Sequence, residues 1–317
     1  MNSKFGSTST AGHVTAGLTI LVWGTTFIAT KVLLETFSPI EILFLRFVLG
    51  YLGLHALCRL PAFRMEKRRP VLRDELIFAG AGLSGIAVYY VCENIALAYS
   101  SASNVGIIVS VAPLTTALVS IPLLKQERID KRIALGFLMA SVGVFFVMTN
   151  GIFMLELSPV GDLLALAATV GWAFYSILLK RIDTTTYPVA VYTRKIFFYG
   201  LLWMIPVSLP MGFELQTSDF TTKNIFLLLF LGLGAGTLCF LTWNFSVEKL
   251  GVLRANAYIY LTPFITFTAS AIILKERITL VAIIGSFCIL GGLWLSEHRT
   301  QLGKSGIIRA AKSDSTI

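Results

Sequence analysis

Charged residues are scarce in this chain of 317 residues: Asp, Glu, Lys and Arg together make up 14%, against 56% for hydrophobic residues. Soluble domains carry about 25% charged residues, because water must solvate their surface. The apolar residues also fall into ten runs of near membrane-spanning length, too many for so few charged side chains to cover. A soluble globular protein is therefore excluded, and an all-α integral membrane protein is predicted.

Residues that bind metals or perform catalysis are also few. The four cysteines lie in or beside apolar segments without CxxC spacing, so they are interpreted as small buried hydrophobic residues. An enzyme site at membrane depth would need clustered His, Asp or Cys, but the three histidines are scattered near segment ends. No nucleotide-binding motif is present either. The sequence therefore predicts no enzyme, no metal and no cofactor.

The cations outnumber the anions, giving a formal net charge of +9. They cluster between the apolar segments and are not interleaved with aromatic residues, so no nucleic-acid partner is expected. With the amino terminus inside, eighteen cations fall on the inner face and three, Lys223, Lys275 and Arg277, on the outer face. Cytoplasmic loops carry the excess of Lys and Arg. Both termini are therefore predicted to be cytoplasmic, in a multi-pass protein of the cell inner membrane.

Polar breaks between the apolar runs predict ten transmembrane helices. They lie near 14–34, 39–57, 76–98, 102–124, 133–150, 159–179, 189–209, 224–246, 252–274 and 278–296. The helices divide into two five-helix repeats, at 14–150 and 151–297. A cytoplasmic segment precedes them at 1–13, and a basic cytoplasmic tail follows at 298–317.

The two repeats match each other at an offset of 149 or 150 residues. The matching pairs are Trp23 and Trp172, Lys31 and Lys180, Asn94 and Asn244, Pro113 and Pro263, Glu127-Arg128 and Glu276-Arg277, Gly136 and Gly285, and Gly143 and Gly292. Because five is odd, the second repeat must enter the membrane from the opposite side. The sequence thus predicts an inverted-topology repeat, the basis of alternating access in many carriers.

These residues resemble those of the drug/metabolite transporter superfamily, in its ten-helix type with two EamA domains. The resemblance is carried by Trp23-Gly24, Arg46, and Pro113 with Glu127 and Gly136, repeated as Pro263 with Glu276 and Gly285. It covers nearly the whole chain. It implies this fold and a transport function, but it does not choose among amino acids, other metabolites and drugs as substrates.

Aromatic and amide residues near mid-membrane are candidates for the substrate site. An aromatic side chain offers an apolar face with a polar edge, and it either lines a cavity or fills the core. A central cavity between the repeats is predicted at these residues, which are Trp23, Tyr89, Tyr90, Asn94, Trp172, Tyr175, Trp243 and Asn244.

Three charged residues fall inside the predicted helices near the candidate site. Glu93 is a carboxylate whose repeat mate is Trp243, which suggests substrate or proton work, with an ion pair to Lys31 or Arg46 as the alternative. Arg46 lies deep in its helix, where pairing to a carboxylate or to helix-end carbonyls is favoured.

Pro113 and Pro263 are expected to kink their helices and act either as hinges or as static bends.

The sequence predicts a secondary active transporter that exports a small amphipathic metabolite, such as an amino acid. An antiporter of a phosphorylated or nucleotide-linked metabolite is the alternative, and a channel is a further one. The expected partners are the small-molecule substrate, the lipid bilayer and protons as a candidate coupling ion, with the chain acting as a monomer or a homodimer.

Overall fold

The computed structural model describes residues 3–63, 71–99, 105, 108–123, 131–149, 158–265, 268 and 280–297. Over these residues the chain is helical and contains no strand. Its α-helices are α1 Ser3–Leu33, α2 Pro39–Leu57, α3 Leu72–Gly82, α4 Tyr89–Tyr99, α5 Ala112–Leu123, α6 Lys131–Thr149, α7 Pro159–Lys180, α8 Val189–Met211, α9 Thr222–Leu229, α10 Cys239–Leu250, α11 Val252–Ala257 and α12 Leu280–Glu297.

Five helical segments within the described residues are long and apolar enough to cross a membrane. They are Thr10–Thr30, Pro39–Leu57, Leu72–Ala96, Pro159–Lys180 and Thr222–Leu250, each of 19 or more residues. A bilayer core of about 30 Å needs about 20 helical residues. The chain is therefore a multi-pass membrane protein.

The helix starts follow from local capping. Ser38 caps α2: its side chain accepts from the Glu41 amide at 3.3 Å, and Glu41 accepts from the Ser38 amide at 2.7 Å, while Pro39 occupies the first turn. The predicted span 39–57 is thus confirmed.

The predicted start of the first helix near residue 14 is wrong, because α1 begins at Ser3. The predicted tail 298–317 lies outside the described residues.

Two predicted regular helices each contain a π-helical segment. These are π1, Leu83–Val88, between α3 and α4, and π2, Phe230–Leu238, between α9 and α10. The Tyr89 amide donates to the Ser84 carbonyl, and the Cys239 amide donates to the Gly234 carbonyl, each five residues back. These positions match at the repeat offset of 150. The second repeat therefore reproduces the irregular backbone of the first, and π segments are frequent at functional sites.

The helices that contain the two repeat-related prolines are also interrupted. A turn at residues 110–111 precedes α5, in which Pro113 is the second residue, and a 3-10 turn, Tyr258–Tyr260, precedes Pro263. Proline cannot donate a backbone hydrogen bond to the preceding turn, which explains both breaks. The prolines therefore begin helical segments instead of lying mid-helix. The rest of these two predicted spans, 102–104, 106–107, 124, 266–267 and 269–274, lies outside the described residues.

Glycines bring the two repeats into close contact at reciprocal positions. A Cβ atom added at Gly82 would lie 2.7 Å from the carbonyl oxygen of Ile196, and one added at Gly232 would lie 3.1 Å from that of Arg46. A shift of 150 residues converts the first contact into the second. Each repeat thus packs its π-containing helix against a helix of the other repeat.

Helices α6 and α12 form a second reciprocal contact. A Cβ atom at Gly143 would lie 2.5 Å from the Gly285 carbonyl oxygen, and one at Gly292 would lie 2.5 Å from that of Gly136. As the numbering rises along α6, the contacting position falls along α12, so the two helices are antiparallel. A reciprocal contact of this kind is what an approximate two-fold axis produces.

Replacing Gly82 by Ala should destabilise this packing. The added methyl group would lie 2.6 Å from the Gly200 nitrogen and 2.7 Å from the Ile196 oxygen, and neither backbone atom can rotate away. We expect a loss of about 1–3 kcal/mol in stability, measured by thermal unfolding in detergent. The control is Gly17→Ala, because no atom lies within 4 Å of that added methyl group. An unchanged melting temperature for Gly82→Ala would contradict the packing.

Candidate functional site

A cluster of aromatic rings lies where α1, α7 and α10 meet. Trp23 of α1, Trp172 of α7 and Trp243 of α10 form a triangle, with ring centroids 5.7 Å apart for Trp23–Trp172, 5.3 Å for Trp23–Trp243 and 5.8 Å for Trp172–Trp243. Trp172 and Trp243 are buried, and Trp23 is partly buried. The structure thus brings together tryptophans from both repeats that the sequence predicted to share a site.

The predicted tyrosines extend the same cluster toward α4. The ring of Tyr89 lies 5.1 Å from Trp172 and 4.8 Å from Tyr90, and Trp172 lies 5.2 Å from Tyr175. Tyr90 and Tyr175 are buried. All six aromatic residues of the candidate site therefore form one contiguous group, which we call the aromatic cluster.

Sequence reasoning missed Phe240, which lies in the middle of the aromatic cluster. Its ring centroid is 5.3 Å from Trp23, 6.5 Å from Trp172 and 6.4 Å from Tyr90, and it is fully buried. Phe240 is the repeat mate of Tyr90 at the offset of 150. The internal repeat was therefore the signal by which it could have been found.

Hydrogen bonds fix the orientation of several of these rings. The Trp23 indole donates to the Ala235 carbonyl of π2 at 3.1 Å, and the Trp172 indole donates to Asn256 Oδ1 at 2.8 Å. The Tyr175 hydroxyl donates to Asn244 Oδ1 at 2.6 Å. Each bond joins different helices, so ring orientation and helix packing depend on each other.

The two predicted asparagines have different partners. Asn244 Nδ2 donates to Thr193 Oγ1 at 2.9 Å and so connects α10 to α8, while Asn94 Nδ2 donates to the Tyr90 carbonyl of its own helix at 2.9 Å. In this conformation the amide groups of both residues are engaged within the protein.

Glu93 lies at the edge of the aromatic cluster. It is 7% exposed, and Oε1 accepts a hydrogen bond from the Tyr89 hydroxyl at 3.2 Å. Among the described side chains, no cation is within ion-pair distance of Glu93, although Arg46 interacts with it electrostatically. The predicted alternative of a direct ion pair with Arg46 is therefore not formed in this conformation. The Lys31 side chain lies outside the described part of the chain.

Arg46 of α2 is buried beside the same cluster. It is 6% exposed, and its guanidinium carbon lies 4.8 Å from the ring centroid of Tyr90 and 5.4 Å from that of Phe47. Cation–π contacts of this kind stabilise a guanidinium by about 0.5–2 kcal/mol each. The favoured pairing of Arg46 to a carboxylate is not found among the described residues.

One end of the interface between the repeats is closed by polar contacts. Glu75 of α3 forms an ion pair with Lys195 of α8 and accepts from the Tyr199 hydroxyl at 2.8 Å. Next to it, the Tyr187 hydroxyl donates to Asp74 Oδ2 at 2.9 Å. The sequence predicts this end to be cytoplasmic.

The opposite end is closed by a mixture of apolar and polar contacts. Glu41 accepts from the Glu214 amide at 2.8 Å, which ties the loop after α8 to the start of α2. The Phe37 and Phe220 rings are 5.6 Å apart, and those of Phe44 and Phe213 are 5.3 Å apart. The aromatic cluster therefore lies between two sets of contacts that join the repeats.

No open cavity separates the rings of the aromatic cluster, because they contact one another. A groove of about 450 Å³ lies elsewhere, and is lined by Leu72, Arg73, Leu76, Ile77, Leu178 and Arg181. A substrate at the cluster would require the rings to move apart. Within the described residues, no three His, Cys, Asp or Glu side chains are grouped to hold a metal ion.

Comparison with known families agrees with this architecture. The model of the EamA-like transporter family matches the chain twice, at residues 10–149 and 159–297. The chain therefore belongs to the EamA-like transporter family, and the resemblance found in the sequence is confirmed. A crystal structure with 20% sequence identity superposes with a TM-score of 0.76, covering 92% of this chain and 98% of the other, and this similarity shows the fold alone.

Curated relatives are similar over nearly their full length. An uncharacterized transporter of Archaeoglobus fulgidus is 26% identical, with 94% of this chain and 99% of the relative covered. A probable amino-acid metabolite efflux pump of Escherichia coli K12 is 24% identical, with 89% and 93% covered. A probable terminal-alkyne amino-acid exporter of Streptantibioticus cattleyicolor is 23% identical, with 89% and 92% covered.

Replacing Asn244 by Leu should weaken the cluster, because the Tyr175 hydroxyl would lose its buried acceptor, while Thr193 keeps its hydrogen bond to the Val189 carbonyl. The orphaned tyrosine hydroxyl costs about 1–3 kcal/mol. Thermal unfolding in detergent measures the loss. The double variant Asn244→Leu with Tyr175→Phe removes both partners of one bond and should regain part of that stability. Equal or lower stability of the double variant would show that the bond does not hold the ring.

Proposed function

We propose that this chain is a secondary active transporter that moves a small amphipathic metabolite by alternating access between two inverted five-helix repeats. The metabolite is an amino acid or a similar compound, and the direction is export. The protein would lie in the cell inner membrane with ten helices and both termini in the cytoplasm. Because the sequence contains no nucleotide-binding motif, an ion or substrate gradient would supply the energy.

The reciprocal packing of the repeats carries this proposal. Helices α6 and α12 are repeat mates and run antiparallel, and the contact between Gly82 and Ile196 has its counterpart between Gly232 and Arg46. Two inverted halves can exchange conformations, which converts a site open to one side into a site open to the other. A static channel or an enzyme has no need for this exchange.

The contacts at the two ends suggest how the exchange proceeds. Glu75–Lys195 at one end and Glu41–Glu214 at the other both join the two repeats. If both ends are closed at once, a substrate between them is occluded from both sides. Opening then requires one set of contacts to break while the other holds, as in alternating access.

The chemistry of the aromatic cluster favours an amphipathic substrate. Trp23, Trp172 and Tyr89 offer apolar faces to an aliphatic or aromatic group, and Glu93 offers a carboxylate at the edge. Two of the relatives have names that refer to amino acids. A phosphorylated substrate is less well supported, because it calls for several free cations and Lys195 is paired with Glu75.

The inverted topology predicts that repeat-equivalent loops face opposite sides of the membrane. Glu35 between α1 and α2, and Thr185 between α7 and α8, are both exposed. Single cysteines would be introduced at each position after the four native cysteines are replaced. An impermeant maleimide should label the Glu35→Cys protein in intact cells, and the Thr185→Cys protein only after permeabilisation. Labelling of both from the same side would refute the inverted repeat.

Transport should be saturable and should depend on Glu93. In proteoliposomes preloaded with unlabelled amino acids, we expect counterflow of a labelled amino acid that saturates with concentration. Ohmic conductance without counterflow would identify a channel instead.

If protons are coupled, the flux driven by a pH gradient should be lost in Glu93→Gln, which keeps the shape but cannot ionise. Retention of full pH-driven flux in this variant would exclude Glu93 from the coupling.

The matched control for Glu93→Gln is Glu35→Gln. Glu35 is an exposed carboxylate in the loop between α1 and α2, so it has the same chemistry away from the aromatic cluster. Its substitution should leave both counterflow and its pH dependence unchanged. The comparison separates a specific role of Glu93 from a general effect of removing one negative charge.

A further inference from the structure

Two buried N–H donors near the aromatic cluster have no hydrogen-bond partner among the described residues. They are Nε of Arg46 and Nε1 of Trp243, and the only other buried side-chain atom in this state there is Thr116 Oγ1. An unpartnered buried donor loses its hydration without compensation, so such donors are rare in native proteins. In this conformation, the described part of the protein therefore supplies no acceptor for either donor.

The two donors belong to one neighbourhood. The Arg46 carbonyl oxygen lies 3.7 Å from a Cβ atom added at Gly236 of π2, the segment that leads into α10 and Trp243. The Tyr90 ring beneath the Arg46 guanidinium also lies 6.4 Å from Phe240 of the same helix. The guanidinium therefore lies beside the start of α10, the helix that carries the Trp243 indole.

Arg46 also carries a full charge that is not neutralised by a direct partner. No carboxylate of the described residues lies within ion-pair distance of its guanidinium. Cation–π contacts with Tyr90 and Phe47 and a hydrogen bond with the Tyr90 side chain offset part of the desolvation, but they leave Nε without an acceptor. A buried Arg normally binds a carboxylate or phosphate, because its planar fork of donors matches two oxygens.

Glu93 supplies the complementary charge on the other side of Tyr90. Its only described hydrogen bond is from the Tyr89 hydroxyl, and Tyr89 and Tyr90 pack edge to face with ring centroids 4.8 Å apart. Arg46 and Glu93 therefore attract each other without touching. The two charges border the Tyr89–Tyr90 pair, and a ligand that contacts both of them would require these rings to move apart.

Both charges belong to the first repeat alone. At the offset of 150 given by the reciprocal glycine contacts, Ile196 occupies the position of Arg46, and Trp243 that of Glu93. The cation next to Ile196, Lys195, is paired with Glu75. A charge needed only to hold the fold would be expected at both equivalent positions. The asymmetry is that of a binding site placed on a symmetric scaffold.

We propose that Arg46 binds the carboxylate of a zwitterionic substrate, with the Trp243 indole as a second donor, while Glu93 receives the substrate's ammonium group. The proposal rests on the transporter function proposed above and names the substrate class as amino acids with both charged groups free. One guanidinium matches one carboxylate, so a doubly charged phosphate would be left incompletely neutralised.

The test uses matched triplets in which one charged group is removed at a time. The first triplet is L-leucine, 3-methylbutylamine and 4-methylpentanoate, and the second is L-phenylalanine, 2-phenylethylamine and 3-phenylpropanoate. Binding to the purified full chain in detergent is measured by calorimetry. We expect at least one of the two amino acids to bind at least tenfold more tightly than its amine and its acid, because each lost partner leaves a buried charge unpaired.

Substitutions then assign each end of the ligand. Arg46→Gln should reduce the preference for the amino acid over the amine to less than threefold, and Glu93→Gln should do the same for the preference over the acid. A purely structural role would weaken all three ligands in proportion. If Arg46→Gln does not fold, Arg46→Lys keeps the charge without the planar fork and should reduce the same preference.

Two tryptophan variants control for loss of an indole N–H. Trp243→Phe keeps an aromatic ring at the cluster and should weaken the amino acid and the acid but not the amine. Trp203→Phe removes an exposed indole that donates to the Ala79 carbonyl, away from the cluster, and should change none of the three affinities.

The outcomes separate this proposal from the proposed function. Equal binding of amino acid and amine in the native protein, or binding of none of the six compounds, would overturn the role of Arg46. Saturable counterflow of a compound without a carboxylate would keep the transporter and also overturn that role. Absence of saturable flux for every metabolite tested in proteoliposomes would instead overturn the transporter itself.

Discussion

The hydrocarbon core of a bilayer supplies no hydrogen-bond partners, so each polar group there must find one within the protein. This constraint sets the arrangement of the aromatic cluster. The indole of Trp23 reaches a carbonyl of π2, that of Trp172 reaches Asn256, and the Tyr175 hydroxyl reaches Asn244. Because each bond joins different helices, the position of a ring in the cluster is coupled to the packing of the helices that carry it.

The π segments lie at close contacts between the two repeats. π2 contains the carbonyl that accepts from Trp23, and Thr237 of the same segment donates to the Gly50 carbonyl of α2 at 3.0 Å. A π segment interrupts the regular backbone hydrogen bonds of an α-helix. A conformational change that alters the crossing of α2 and π2 must rearrange the hydrogen bonds that Trp23 and Thr237 make there. The same segments in both repeats would supply two equivalent places where such a change can occur.

The sequence predicted the features that depend on local composition and on the repeat. The polar break before Pro39 and the following apolar run predicted α2, and mid-membrane position together with the offset of 149 or 150 singled out Trp23 and Trp172. The π segments were not predictable, because ordinary apolar sequence adopts them only under contacts from the other repeat. The ring-to-ring packing was missed for a related reason: helix periodicity does not give the distance between helices that are remote in sequence.

Symmetry separates the scaffold of this protein from its chemistry. The π segments, the glycine crossings and the helix breaks before Pro113 and Pro263 occur in both repeats, and equal halves are what an exchange of conformations requires. A bound substrate has no such symmetry, so the groups that recognise it need not be duplicated. Arg46 opposite Ile196, and Glu93 opposite Trp243, are departures of this kind. Where two repeats share a backbone but differ in a buried charge, the fold does not require that charge, and this is the basis on which we propose Arg46 and Glu93 as the residues that recognise the ligand.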